Sequence, residues 1–106
     1  MFVTKDTAST VLLDNGVKRS ILAHNDELMI VQFEFKKDQV GSLHSHPHTQ
    51  STYILSGKFE FTVGDQTYIC QAGDTLIATT SIMHGCRCLE DGVLIDNFTP
   101  SRKDLL

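Results

Sequence analysis

Short segments of alternating apolar and polar residues, cut at frequent intervals by turn residues, dominate this chain. The cleanest is Lys58-Phe-Glu-Phe-Thr-Val63. Successive strand side chains point to opposite sides, so Phe59, Phe61 and Val63 share one face. Gly64-Asp65 then turns the chain into Gln66-Thr-Tyr-Ile-Cys70, the pattern of a β-hairpin. Leu28 to Phe35 is β-branched and aromatic, with Val31, Phe33 and Phe35 on one face against Ile30, Gln32 and Glu34. Further strands are expected at Val17 to Ala23, Gln50 to Leu55, Thr75 to Ala78, Met83 to Leu89 and Val93 to Phe98. Leu43 to Pro47 reads as extended, and Pro47 removes one ladder donor. Ser56-Gly57, Ala72-Gly73-Asp74 and Glu90-Asp91-Gly92 read as turns, and the tail from Ser101 to Leu106 as a short helical turn. Roughly eight or nine short strands and no long helix predict an all-β sandwich or barrel.

The 106 residues suffice for one domain with one core, spanning the whole of 1–106. A hydrophobic fraction of 41% beside 21% charged residues is that of a soluble globular chain. With a net charge of -4 and scattered Lys and Arg, no basic stripe is available to neutralise phosphates, so nucleic acid is not an expected partner. Nor is a membrane, because no apolar run approaches the ~20 residues of a spanning helix. Met1 to Asp6 lacks a signal-peptide core, and a cytoplasmic location is expected. The three cysteines, Cys70, Cys86 and Cys88, form no disulfide framework. Cys86 and Cys88 are read as small buried apolar residues, since no second pair exists to finish a thiolate metal site.

Three of the five histidines fall in Gly41-Ser-Leu-His-Ser-His-Pro-His48, and a fourth is His84. His44 and His46, two apart, share a strand face. A nitrogen from a distant strand would complete a metal pocket that one segment could not make. His48 has the same parity, but Pro47 perturbs it, so a supporting or rim role, or plain exposure, is favoured over ligation. His24, before Asn25-Asp-Glu27, is read as a surface residue in a turn. At the other end, Asp96 interrupts the apolar run Val93-Leu-Ile95 and shares a face with Phe98. Parity alone leaves open whether Asp96 faces the interior, where a carboxylate must be paired or functional, or solvent. Arg102 lies just beyond the strand.

The spacing His44-x-His46, then Gln50, then Gly57, followed later by Gly73 and His84, resembles the cupin superfamily. Its fold is the double-stranded β-helix, a jelly-roll barrel. In the usual first motif a Glu stands where this chain has Gln50, and the leading Gly is displaced here to Gly41. In the second motif Gly73 and His84 are kept, while Thr79, Ser81 and Cys88 replace the usual Pro, Gly and Asn. The resemblance implies that His44, His46, Gln50 and His84 hold one divalent transition metal ion, with Ni, Zn, Fe or Mn as candidates. Three neutral imidazoles and a neutral amide would leave the ion's charge uncancelled, favouring an anionic ligand.

Arg19 to Met29, His44 to Gln50, Leu55 to Phe61 and Asp91 to Pro100 together look like the KdgF family of small cupins in pectin and alginate breakdown. That resemblance implies conversion of 4,5-unsaturated monouronates, the products of polysaccharide lyases, into linear ketonised sugars. It accounts for a ligand set of three His and one Gln. It also carries a catalytic pattern Asp-x-Phe-x-x-x-Arg onto Asp96, Phe98 and Arg102, with Asp96 and Arg102 catalytic, and Phe98 and Arg102 binding a small sugar acid. A homodimer is expected, as in many small cupins. Other cupin chemistries, such as a metal-dependent dioxygenase or a sugar isomerase, and a non-catalytic ligand-binding domain are the alternatives.

Overall fold

The computed structural model describes Met1–Leu106. Eight strands form one antiparallel system: β1 Ser9–Leu12, β2 Lys18–His24, β3 Met29–Phe35, β4 Val40–His44, β5 Thr49–Val63, β6 Gln66–Gln71, β7 Thr75–Ala78 and β8 His84–Thr99. The main order is β1-β2-β3-β8-β5-β6, with β4 paired to β8 and β7 to β5. Single-turn 3-10 helices at Lys5–Thr7 and Lys103–Leu105 are the only helices, and no helix is long and apolar enough to cross a membrane. The expected all-β jelly roll is the fold found.

Two expected turns are not turns. Gln50 to Leu55 and Lys58 to Val63 are halves of β5, and Met83 to Leu89 and Val93 to Phe98 are largely halves of β8. The register between β5 and β8 shifts around Ile54, Ser56 and Lys58. Gly57 has a φ of +79°, which only glycine adopts without strain. A Cβ on Gly57 would stand 2.5 Å from the Gly92 Cα, and one on Gly92 would stand 2.8 Å from the Gly57 Cα. Both glycines therefore bend and cross continuous strands at van der Waals contact instead of ending them. The extended segment expected at Leu43 to Pro47 lies earlier, as β4. A further strand, β1, pairs Ser9–Leu12 with β2. His24 is not in a turn but ends β2, half-buried, with Nδ1 3.2 Å from the Leu22 carbonyl oxygen.

The inward residues make the core that strand parity predicts. Val17, Phe35, Ile54, Phe59, Phe61, Cys70, Cys88 and Leu94 form the larger cluster, with Phe35 and Phe59 packed edge to face at 5.3 Å. Met29, Val31 and Phe98 form a second, with Leu105 of the tail against it. At ~25 cal/mol per Å² of apolar area removed from water, these side chains supply most of the drive to close the sheet. Cys70, Cys86 and Cys88 are free thiols. The interior between the clusters is not filled, and the polar residues of the site line it.

Candidate functional site

Strand pairing gathers the site. His44 ends β4 directly opposite His84, the first residue of β8. On β5, Gln50 lies opposite Phe98, and Thr52 opposite Asp96. Alternation along β8 turns His84, Asp96 and Phe98 inward, and all three are buried. A cavity of about 90 Å³ is lined by His44, Gln50, His84, Cys86, Asp96 and Arg102 together with apolar neighbours. His46 stands behind it, its ring 4.8 Å from that of His84 and 5.6 Å from that of Phe98. Each of His44, His46 and His84 offers one ring nitrogen, and these three atoms lie within 4.8 Å of one another.

Hydrogen-bond direction says which atoms face inward. Nδ1 of His44 is 2.8 Å from the Ser42 carbonyl oxygen, and Nδ1 of His84 is 3.0 Å from that of Ile82. A carbonyl only accepts, so both Nδ1 atoms carry the proton and both Nε2 atoms present lone pairs. The Gln50 Oε1 lies 3.1 Å from Nε2 of His84 and 3.2 Å from Nε2 of His46. At His84 two acceptors therefore face each other. A second proton on that ring would relieve the repulsion, but burial lowers the His84 pKa. A cation between the donors would relieve it instead. His46 is held down to about 4, first by burial and then by the charge of Arg102, so its ring too is neutral near pH 7. Three imidazoles and an amide oxygen turned on one point are a donor set that fits a divalent transition metal.

Beside these donors sits a carboxyl. Asp96 is 6% exposed, and burial raises it to about 7 against hydrogen bonds from Thr52 and Gln50 and the charge of Arg102. It is thus poised between acid and base in the neutral range. Parity left its direction open, and the structure turns it inward. The Arg102 guanidinium lies 5.2 Å from the centre of the Phe98 ring, a cation–π arrangement. Its Nε and Nη2 donate to the two carboxylate oxygens of Asp104, at 3.3 and 2.6 Å. Asp104 is held low by Arg102.

Not every residue that the sequence singles out belongs to this group, and some members lie outside its motifs. His48 stays in the loop after β4, half-buried, with its ring 5.3 Å from that of His46. Cys86 is half-buried and lines the cavity, and burial pushes its thiol up to about 12, so it presents no thiolate. Cys88 is a core residue, as its sequence context predicts, and Cys70 joins it there. Thr52, buried between Gln50 and Asp96, was detectable because it follows Gln50 by two on one strand. Asp104, in the tail, had no such signal.

A model of the cupin domain matches residues 31–95. A protein of Dickeya dadantii (strain 3937), named pectin degradation protein KdgF, is 41% identical over 96 residues, covering 89% of this chain and 87% of its own length. The chain belongs to the KdgF family of cupins. Among solved structures, an RmlC-like cupin from Shewanella frigidimarina superposes on this cupin with a TM-score of 0.95 at 33% identity, covering 99% of this chain and 95% of its own. KdgF from a Halomonas species gives a TM-score of 0.94 at 33% identity, with coverage of 100% and 98%. The cupin fold thus extends well beyond the matched segment, to both ends of the chain.

Proposed function

We propose that this cupin converts 4,5-unsaturated monouronates into linear ketonised sugars, using a divalent metal held by His44, His46, Gln50 and His84. The observation that carries the reading is the meeting of His44, Gln50 and His84, with His46 behind them, with a buried carboxyl and a guanidinium around one cavity. The name of the Dickeya relative, a pectin degradation protein, supports the substrate class. A bound ion would supply Lewis acidity, stabilising negative charge on the substrate's oxygens. The remaining work falls to side chains of the chain itself.

Opening the ring requires loss of the anomeric hydroxyl proton, and ketonisation requires protonation of C4. Asp96, with a pKa of about 7, can accept the first proton and return one later, so one group serves both steps. Arg102 holds the carboxylate through guanidinium donors, whose fork matches carboxylate geometry. Phe98 supplies an apolar wall against the sugar face. A cavity of about 90 Å³ takes the reacting edge of a monosaccharide, leaving the rest of the ring at the open side near His44, which is exposed.

The test is incubation of lyase-generated unsaturated monouronate with the protein while the alkene absorbance is followed. Loss no faster than in buffer sinks the proposal. Asp96→Asn is expected to cut turnover by about 100-fold or more, the usual scale of general acid–base catalysis, with metal content unchanged. His44→Ala should lose metal and activity together.

A further inference from the structure

The amide of Gln50 has two orientations, and only one of them suits a metal. With Oε1 toward the imidazoles it offers a ligand oxygen. Turned over, its NH2 would donate to the Nε2 lone pair of His84 and close the site with a hydrogen bond that excludes an ion. Something must choose between them, because the turned-over amide satisfies His84 better when no ion is bound.

The chooser is visible in a directed chain of hydrogen bonds. The Thr52 hydroxyl donates to Oδ1 of Asp96 at 2.5 Å. Gln50 Nε2 donates to the same Thr52 oxygen at 3.1 Å. Thr52 has a single hydrogen, and the ionised Asp96 carboxylate takes it. Toward Gln50 the hydroxyl can only accept, so Gln50 must turn its NH2 to Thr52 and its oxygen to the histidines. Thr52 is 1% exposed and lies off the cavity lining, so water cannot reach its hydroxyl in place of a missing partner. If the amide flipped, two buried oxygens would compete for one hydrogen and one would go unpaired. The residues are set in this order by the sheet: Thr52 follows Gln50 on the inner face of β5 and stands in register with Asp96 on β8.

We propose that Thr52 is a positioning residue that locks the Gln50 amide oxygen-first toward His46 and His84, and so keeps the site open to a metal ion while tying it to Asp96. This rests on the ligand set proposed above. Thr52 touches neither metal nor substrate in this scheme and acts through Gln50. Its removal should act first on metal affinity, as loss of an orienting partner commonly does by about 10–100-fold.

The experiment is competition of the metal-stripped full chain with a chromophoric chelator for Zn2+ and, separately, for Ni2+. Thr52→Val and Thr52→Ala, which lack the hydroxyl, should bind at least about 10-fold more weakly than wild type. Thr52→Ser, which restores it, should return to within about 3-fold. Thermal melts of the stripped proteins confirm that each variant is folded. In a Gln50→Ala background, Thr52→Val should cost nothing more, because the residue through which Thr52 acts is gone. Unchanged affinity in both hydroxyl-free variants, or losses at Thr52 and Gln50 that simply add, would overturn the inference. Wild-type protein that binds neither ion would overturn the ligand set itself, an outcome seen before any variant is made.

Discussion

Asp96 shows what one residue can reveal and conceal. Its interruption of an apolar run was legible in the sequence, but parity could not fix its direction. Only its register partner Thr52 and the curvature of β8 turn it inward. Burial raises it from 3.8 to about 7, so the folded chain binds this proton more tightly than the unfolded chain. Its contribution to stability is therefore complete below about 3.8 and is lost as pH rises through about 7. At roughly 1.4 kcal/mol per pKa unit, the charged group costs the metal-free fold roughly 4 kcal/mol at pH 8. In thermal melts of the metal-free protein, Asp96→Asn is expected to exceed wild type at pH 8, with the advantage shrinking toward pH 4. A constant difference across that range would show that the carboxyl is not desolvated. Asp104 supplies a second residue-scale prediction. Its carboxylate fixes Arg102 over Phe98, so Asp104→Ala should raise KM for the uronate by about 5–10-fold while kcat changes little, the pattern of lost uniform binding. Lys103→Ala, on the same turn as Asp104, removes only an exposed pair with Asp26 of the β2–β3 loop and should leave KM alone. Equal effects of the two variants would mean that Asp104 merely anchors the tail.

At the scale of elements, the strand rhythm was legible and the continuity of the strands was not. Ser56-Gly57 and Glu90-Asp91-Gly92 carry the same residues whether a strand stops or bends. What separates the cases is the neighbour that the glycine must pass, and no local sequence contains it. β1 escaped for the opposite reason: all four residues of Ser9–Leu12 are exposed, so no alternation marks a buried face. The long β5 and β8 matter because each carries site residues past the crossing at Gly57 and Gly92. Their continuity holds Gln50 and Thr52 against Asp96 and Phe98 in fixed register. A methyl group on Gly92 would run into the Gly57 Cα at 2.8 Å and into the Ser56 carbonyl, and backbone there cannot yield as a side-chain tip can. Gly92→Ala is expected to cost about 1–3 kcal/mol or more, the range of overpacking, read as a lowered denaturation midpoint. Gly73→Ala is the contrast: its added methyl meets nothing within 4 Å, although its φ of +92° still strains a side chain, so its smaller loss reports backbone conformation alone.

For the whole molecule, the site is also a clasp. His44 comes from β4, His46 from the loop after it, Gln50 from β5 and His84 from β8, so a shared ion would join segments that otherwise meet through sheet pairing. The cluster of histidines was legible as a candidate metal pocket because His44 and His46 are two apart. Its completion by His84 rested on resemblance, since nothing local shows that β4 and β8 pair. Binding to the folded state alone stabilises it by mass action, about 2.7 kcal/mol with free ion at 100 times its Kd. For a domain of 106 residues, each kcal/mol moves Tm by roughly 4–8 °C. Loading the stripped protein with Zn2+ or Ni2+ is therefore expected to raise Tm by roughly 10–20 °C, and chelation should reverse the gain. His44→Ala should abolish most of the rise while leaving the stripped protein's own Tm nearly unchanged, because His44 is exposed and outside both core clusters. A rise that survives His44→Ala would place the ion elsewhere on the chain. An absent rise at saturating metal would mean that the ion binds folded and unfolded chains alike, and that the three imidazoles do not act together.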